Sequence, residues 1–195
     1  MKKNIISIVL AGSLSALTFS AFAQKDSSGI YMTANDFKNG NLSYAINYKT
    51  EKHKINDYLF LNPDQIKVKH HDSTYMLNKS TTYGYKDTKG KVFRFVDNKD
   101  YEILNPGESI LIYKYVITTQ QPKTTPVVMV RYFFTRDSGN PPVELTKDNL
   151  KKAFPENHKF HDALDENFKA DEELISYDQF HHTYKLNRLL QNSVK

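Results

Sequence analysis

Apolar and polar residues alternate with a period of two through most of Gly29 to Thr135, the spacing of strands that bury one face. From Leu42 to Tyr48, Leu42, Tyr44 and Ile46 fall on one side and Ser43, Ala45 and Asn47 on the other. Ile66 and Val68 alternate with Lys67 and Lys69. Thr81–Tyr85 and Lys91–Val96 read as the arms of a hairpin around Asp87-Thr88-Lys89-Gly90, with Gly90 free to take a positive φ. In the second arm Phe93 and Phe95 share one face, and Val92, Arg94 and Val96 share the other. Gly84, between Tyr83 and Tyr85, predicts a bulge or a close backbone approach. Asn105-Pro106-Gly107-Glu108 marks a turn between Tyr101–Leu104 and the run Ser109–Thr118. That run and Val127–Phe134 are apolar on both sides, which predicts central strands covered on both faces, joined by the loop Gln120–Pro126.

At Gly139-Asn140-Pro141-Pro142 the period changes to about 3.6 residues. Thr146 caps a predicted helix through Phe154, stopped by Pro155, and Asn157 caps a second with Phe160, Ala163, Leu164 and Phe168 as its inward stripe. A third helical stretch is expected from about Asp171 to Asn192. In it Tyr177, Phe180 and Tyr184 oppose Ile175, Leu186 and Leu189, so it is either sandwiched between layers or bent near His181-His182. Near the start, Thr33-Ala34-Asn35-Asp36 fits a capping box for one helical turn ending near Asn39-Gly40. The pattern as a whole predicts an α+β fold. It comprises a mainly antiparallel sheet or partly closed barrel at about 29–135, followed by three packed helices at about 146–193. The helical part offers too few apolar residues for a core of its own, so one cooperative unit is expected.

Residues 1–23 stand apart from this pattern. Lys2 and Lys3 precede an apolar stretch from Ile5 to Ser20, and Ala21-Phe22-Ala23 supplies the small residues a signal peptidase reads. Gly12, Ser13 and Ser15 dilute a span already short for a membrane helix. A signal peptide cleaved between Ala23 and Gln24 is therefore expected, followed by a single exported domain, 24–195, in the periplasm or outside the cell. No later segment reads as a membrane span.

Composition narrows the chemistry. There is no Cys, which excludes disulfide scaffolds, thiolate metal sites, cysteine nucleophiles and lipoprotein acylation. The net charge of +5 falls further once Lys2 and Lys3 leave, too little for a nucleic-acid binder. The basic excess lies in 24–134, and 135–195 is slightly acidic. Trp is absent, and the 13 Tyr and 12 Phe mostly alternate with polar residues, as core residues do. No dinucleotide or phosphate loop, no Gly-x-Ser-x-Gly and no His-Glu-x-x-His occurs.

One constellation could carry a reaction. His158 and His161 share a helix face with Asp162 and Asp165, and His181-His182 lies in the next predicted helix. Converging imidazoles and carboxylates could hold a divalent ion, although surface helix pairs explain the same spacing. His70-His71-Asp72 reads as a solvated strand end or a pH-sensitive loop. No residue is assigned a catalytic, cofactor or metal role, and no cofactor is called for.

Ser28-Gly29-Ile30-Tyr31-Met32-Thr33-Ala34-Asn35-Asp36-Phe37, Tyr83-Gly84-Tyr85 and Phe93-Arg94-Phe95 resemble segments of a known group. So do Leu145-Thr146-Lys147-Asp148-Asn149-Leu150, Phe160-His161-Asp162, Tyr177-Asp178-Gln179-Phe180-His181 and Tyr184-Lys185-Leu186-Asn187-Arg188. The group comprises uncharacterised signal-peptide-bearing exported proteins of Bacteroidetes-type bacteria. The resemblance covers nearly all of 24–195 and implies export and one co-evolved unit. It brings no catalytic residue.

Two function classes follow. The first is a non-enzymatic periplasmic or secreted module that binds an envelope component, a protein or a small ligand. The alternative is a hydrolase using the His/carboxylate helix face, with or without a metal. The hydrolase requires His158, His161 and one of His181 or His182 to converge at a pocket mouth. The binding module expects them to scatter, with Tyr and Phe lining the main concavity.

Overall fold

The computed structural model describes residues 26–51, 54–57, 63–119 and 127–194. The expected signal peptide and the loop Gln120–Pro126 lie outside them. Chain order runs β1 (Ser27–Tyr31), α1 (Ala34–Asn39), β2 (Ser43–Asn47), β3 (Lys54–Asn56), β4 (Gln65–His70), β5 (Ser73–Asn78) and β6 (Gly84–Lys86). It continues with β7 (Val92–Val96), β8 (Lys99–Ile103), β9 (Leu111–Thr119), β10 (Val127–Thr135) and β11 (Val143–Glu144). The last part holds α2 (Lys147–Ala153), α3 (His158–Asn167), β12 (Tyr177–Asp178), β13 (Thr183–Tyr184) and α4 (Lys185–Ser193).

Eight strands form one antiparallel sheet in the order β2-β1-β6-β7-β8-β9-β10-β11. From β6 onward it is a meander, and β3–β5 form a separate three-stranded sheet inserted between β2 and β6. The fold is α+β, as the change of period at Gly139 predicts. The sheet is open, however, and not a partly closed barrel; β2 and β11 are its edges.

Residues directly opposite in an antiparallel ladder share a face. The register therefore puts Ile30, Tyr85, Phe93, Phe95, Asp100, Glu102, Lys114, Ile112 and Phe134 on one face. The small sheet covers one end of that face through Ile66 and Val68, packed with Ile30, Tyr85 and Phe95. The helices cover the other end, with Leu150, Phe160, Leu164, Phe168, Leu174 and Leu186 against Ile110, Ile112 and Phe134. Between the two apolar patches runs a polar stripe that includes Asp100, Glu102 and Lys114. The opposite face carries Tyr31, Val92, Ile103, Leu111 and Tyr113 beneath α1.

Several local expectations appear as residues in place. Thr33 and Asp36 form the capping box, and α1 ends at Gly40 with φ 69°. Gly84 sits where a Cβ would lie 1.9 Å from the Phe93 carbonyl oxygen, a close backbone approach. Thr146 and Asn157 cap α2 and α3 through the amides of Asn149 and Phe160.

Three expectations need correction. The first hairpin arm is shorter than 81–85, because Lys79–Thr81 forms a 3-10 turn and pairing begins at Gly84. The third helix is not continuous: Asp171–Ile175 is 3-10, β12 and β13 make a small hairpin, and only Lys185–Ser193 is α-helical. The break has a local cause. The Asp178 carboxylate accepts the amides of Phe180 and His181, at 3.0 and 3.1 Å, which competes with helical pairing. Tyr177 and Tyr184 pack edge to face at 5.3 Å across the hairpin. Finally, β9 and β10 are not covered on both faces along their length. The helices pack on Ile110, Ile112, Tyr132 and Phe134, and the cluster beneath α1 takes in Leu111, Tyr113 and Phe133, so both covers stop in the same half of the two strands. The ends beyond them leave Val116, Val128, Met129 and Val130 exposed.

Candidate binding site

Two cavities adjoin α1, one at its C-terminal end and one at its N-terminal end. Phe37 of α1 stacks on Tyr83 at 5.2 Å and meets Tyr31 edge-on at 5.6 Å, which fixes the helix over the sheet. The larger cavity, about 560 Å³, is lined by Tyr31 and Phe37 with Ser109, Leu111 and Arg136 among others. The second, about 530 Å³, lies between Thr33, the segment Lys79–Tyr83 and the Asp97-Asn98 turn, with Arg94 in its wall.

Arg94 is an anomaly on this face. Its position on β7 points it among Tyr83, Tyr113 and Tyr101, and it is only 8% exposed. Nη1 donates to the Tyr113 hydroxyl at 3.2 Å and to the Asn140 carbonyl at 2.7 Å. The guanidinium carbon lies 5.0 Å from the Tyr83 ring centre and 5.8 Å from that of Tyr113. Among the described residues it makes no ion pair. A buried charge without a counter-charge costs several kcal/mol of desolvation, which the aromatic faces and the carbonyl offset in part. Nearby, the Thr82 hydroxyl is buried without a hydrogen-bond partner. The Tyr83 hydroxyl sits beside Tyr113 without a well-formed hydrogen bond, and burial, then Tyr113, push its pKa upward against the pull of Arg94.

The polar stripe on the opposite face holds a second cluster. Asp57, following β3, hydrogen-bonds Asp100 of β8. Tyr85 donates to Asp57 at 2.7 Å, and Lys79 donates to Asp100 at 3.1 Å. Burial, and then the hydrogen bond with Asp57, raise Asp100 to about 6 despite Lys79. Burial also pushes Asp57 upward, but the bonds from Tyr85 and Asp100 and the charge of Lys79 outweigh it and hold it low. Of the two carboxyls, Asp100 is thus the one that holds a proton more readily, beside the Lys79 ammonium. Lys79 belongs to both places: its side chain reaches Asp100 and lies over the Phe95 ring, and the residue lines the second cavity.

The structure does not bring the four singled-out histidines together. α3 and α4 run antiparallel, tied by Asn157 to Ser193 at one end and by Lys185 to the Asn167 carbonyl at the other. His158 and His161 lie at the first end, their rings 5.7 Å apart, with His161 Nε2 on the Phe154 carbonyl. His181 and His182 lie past the second, in the β12–β13 turn, where His181 Nδ1 is 2.9 Å from Asp178. Asp165 pairs with Lys151 at 2.7 Å, and that bond holds its carboxyl low. Among the described residues no group of three or more His, Cys, Asp or Glu is placed to hold a metal ion. His71 and Asp72 form the turn between β4 and β5 that the strand-end reading predicts.

Arg94, Lys79, Thr82, Asp57 and Asp100 were not singled out by the sequence. Arg94 did carry a signal, since it is the one charge sharing a strand face with Val92 and Val96. Asp57 and Asp100 carried none, because their meeting depends on how the inserted sheet docks. The chain matches no family model, no curated protein and no solved structure. Among the described residues no helix is long and apolar enough to cross a membrane.

Proposed function

We propose that the protein is an exported, non-enzymatic binding module of the periplasm or the extracellular space, and that its ligand face is the one beneath α1. The observation that carries this reading is the buried guanidinium of Arg94, unpaired among the described residues, in the wall of a 530 Å³ cavity. Its other two donors, Nε and Nη2, have no protein acceptor among the described residues and remain reachable from solvent, which leaves them open to a ligand. The charged leader at Lys2 and Lys3, the apolar run after it and Ala21-Phe22-Ala23 support export. The separation of His158 and His161 from His181 and His182 supports a role other than catalysis on that helix face.

Two experiments test it. The full chain, produced in a Gram-negative host, is expected in the periplasmic fraction with Gln24 as its first residue; an intact precursor in the cytosol would contradict export. The purified product, given p-nitrophenyl acetate, phosphate and glucoside, is expected to release no p-nitrophenol above the buffer rate and to contain no stoichiometric metal.

One observation favours a second reading. A carboxyl that keeps its proton to about pH 6 beside an ionised partner is suited to general acid catalysis. Turnover of any of the three esters or glycosides that Asp100→Asn abolishes would select this hydrolase reading over the binding module.

A further inference from the structure

We infer that the cavity between Lys79–Tyr83 and the Asp97-Asn98 turn is a site for a small oxyanion, anchored by Arg94. The inference rests on the binding-module reading and specifies its ligand. Only Nη1 of Arg94 is engaged by the protein, through the Tyr113 hydroxyl and the Asn140 carbonyl. Nε and Nη2, the parallel pair of donors on the other edge of the guanidinium, have no bonded acceptor among the described residues. That edge matches the two oxygens of a carboxylate or a phosphate, and such bidentate pairs are among the strongest polar contacts in proteins.

The surroundings fit the same ligand. Arg94 lines the cavity while remaining 8% exposed, so an anion reaching it would leave most of its water and meet a weakly screened charge. Contact with the Tyr83 and Tyr113 rings and the two bonds of Nη1 restrict the swing of the guanidinium. Thr82 lines the same cavity, and its hydroxyl, buried without a partner, would gain one by turning toward a third oxygen of the ligand. Lys79 adds positive field, although its ammonium is held by Asp100. Asp97 also lines the cavity. Its carboxylate opposes a second negative charge, so a monocarboxylate is favoured over a phosphate dianion. The competing account is that Arg94 is purely structural, an arginine stacked between tyrosines.

The test uses residues 24–195 labelled with ¹⁵N, following the arginine Nε–H resonances while sodium acetate or inorganic phosphate replaces sodium chloride at constant ionic strength. The Arg94 resonance, assigned by its loss in Arg94→Lys, is expected to shift saturably with both anions. Acetate should half-saturate at a concentration several-fold below phosphate. Thr82→Val, which keeps the shape of the side chain, is expected to raise the acetate midpoint three- to tenfold. No shift beyond that in chloride, or a linear one, overturns the oxyanion site. If Arg94→Lys does not fold, the Thr82→Val arm and thermal stabilisation of the unaltered protein by acetate over chloride decide the matter, and absence of both overturns the proposal. Failure here leaves the binding module standing if soluble peptidoglycan fragments stabilise the protein. Turnover of the chromogenic substrates defeats the module whatever acetate does.

Discussion

Asp100→Asn separates the electrostatics of the polar stripe from its packing. In the folded chain the cluster holds Lys79, Asp57 and Asp100; with Asp100 protonated it is neutral, and without that proton it carries one negative charge. Asp100 keeps its proton to about pH 6, against about 3.9 for an ordinary aspartate, and the difference corresponds to about 3 kcal/mol. A quarter of its side chain faces solvent, and screening reduces that figure to about 1–2 kcal/mol. Because the folded value is raised, the contribution is fully present below the unfolded carboxyl value and is lost as pH rises through about 6. Asp57 is held low, so its own contribution is lost as pH falls below the unfolded carboxyl value, in both proteins alike. Asparagine can still accept from Lys79 and donate to Asp57, and so mimics the protonated form at every pH.

The variant is therefore expected to match the unaltered protein only below the unfolded carboxyl value, at about pH 3.5 or lower, and to draw ahead as pH rises through about 6. Near pH 8 it should be more stable by about 1–2 kcal/mol, which for a chain of this size is about 3–6 °C in Tm. Urea unfolding of residues 24–195 at the two pH values supplies the comparison, with groups elsewhere cancelling between the two proteins. Equal pH slopes for the two proteins, or a variant that loses ground as pH rises, would refute the raised Asp100.

Three further substitutions test the fold. Gly84→Ala places a methyl 1.9 Å from the Phe93 carbonyl in a backbone that cannot yield; a loss of at least about 3 kcal/mol is expected in urea unfolding, or no soluble protein. Asn187 is fully buried on α4, where it accepts the Ile110 amide at 2.7 Å and donates to the Ile110 carbonyl at 2.9 Å. Asn187→Leu orphans that amide, while Asn105 retains the carbonyl at 2.7 Å, so about 2–3 kcal/mol should be lost in the same assay. Thr33→Ala removes the α1 cap and should cost about 1 kcal/mol, with faster amide exchange confined to Ala34–Asn39; protection that stays unchanged there would count against the capping box.

What the sequence made legible is what local chemistry decides. The capping residues Thr33, Thr146 and Asn157, the left-handed Gly90, the turn at Asn105–Glu108 and the opposite faces of Phe93 and Arg94 are each set within a few residues of the chain. The misreadings arise where a distant neighbour decides. The two-sided apolar pattern of β9 and β10 does not reveal that the helices and α1 cover only one half of them, so exposed valines read as core. Around His181 the helical period persists in sequence, but the Asp178 side chain captures the amides a helix would use. The imidazoles drew notice because metal-binding residue types sat at helical spacing, whereas the fold brings Asp57 beside Asp100 and sets Thr82 and Arg94 in the lining of one cavity. Neither partner in either pair marks the other in the sequence.

A crystal structure of residues 24–195 grown from acetate tests the central claim most directly. The account predicts planar density about 3 Å from both Nε and Nη2 of Arg94, inside the cavity bounded by Thr82 and Asp97. A carboxylate of the protein's own chain seated on that edge instead, or a side chain filling the cavity, would contradict it.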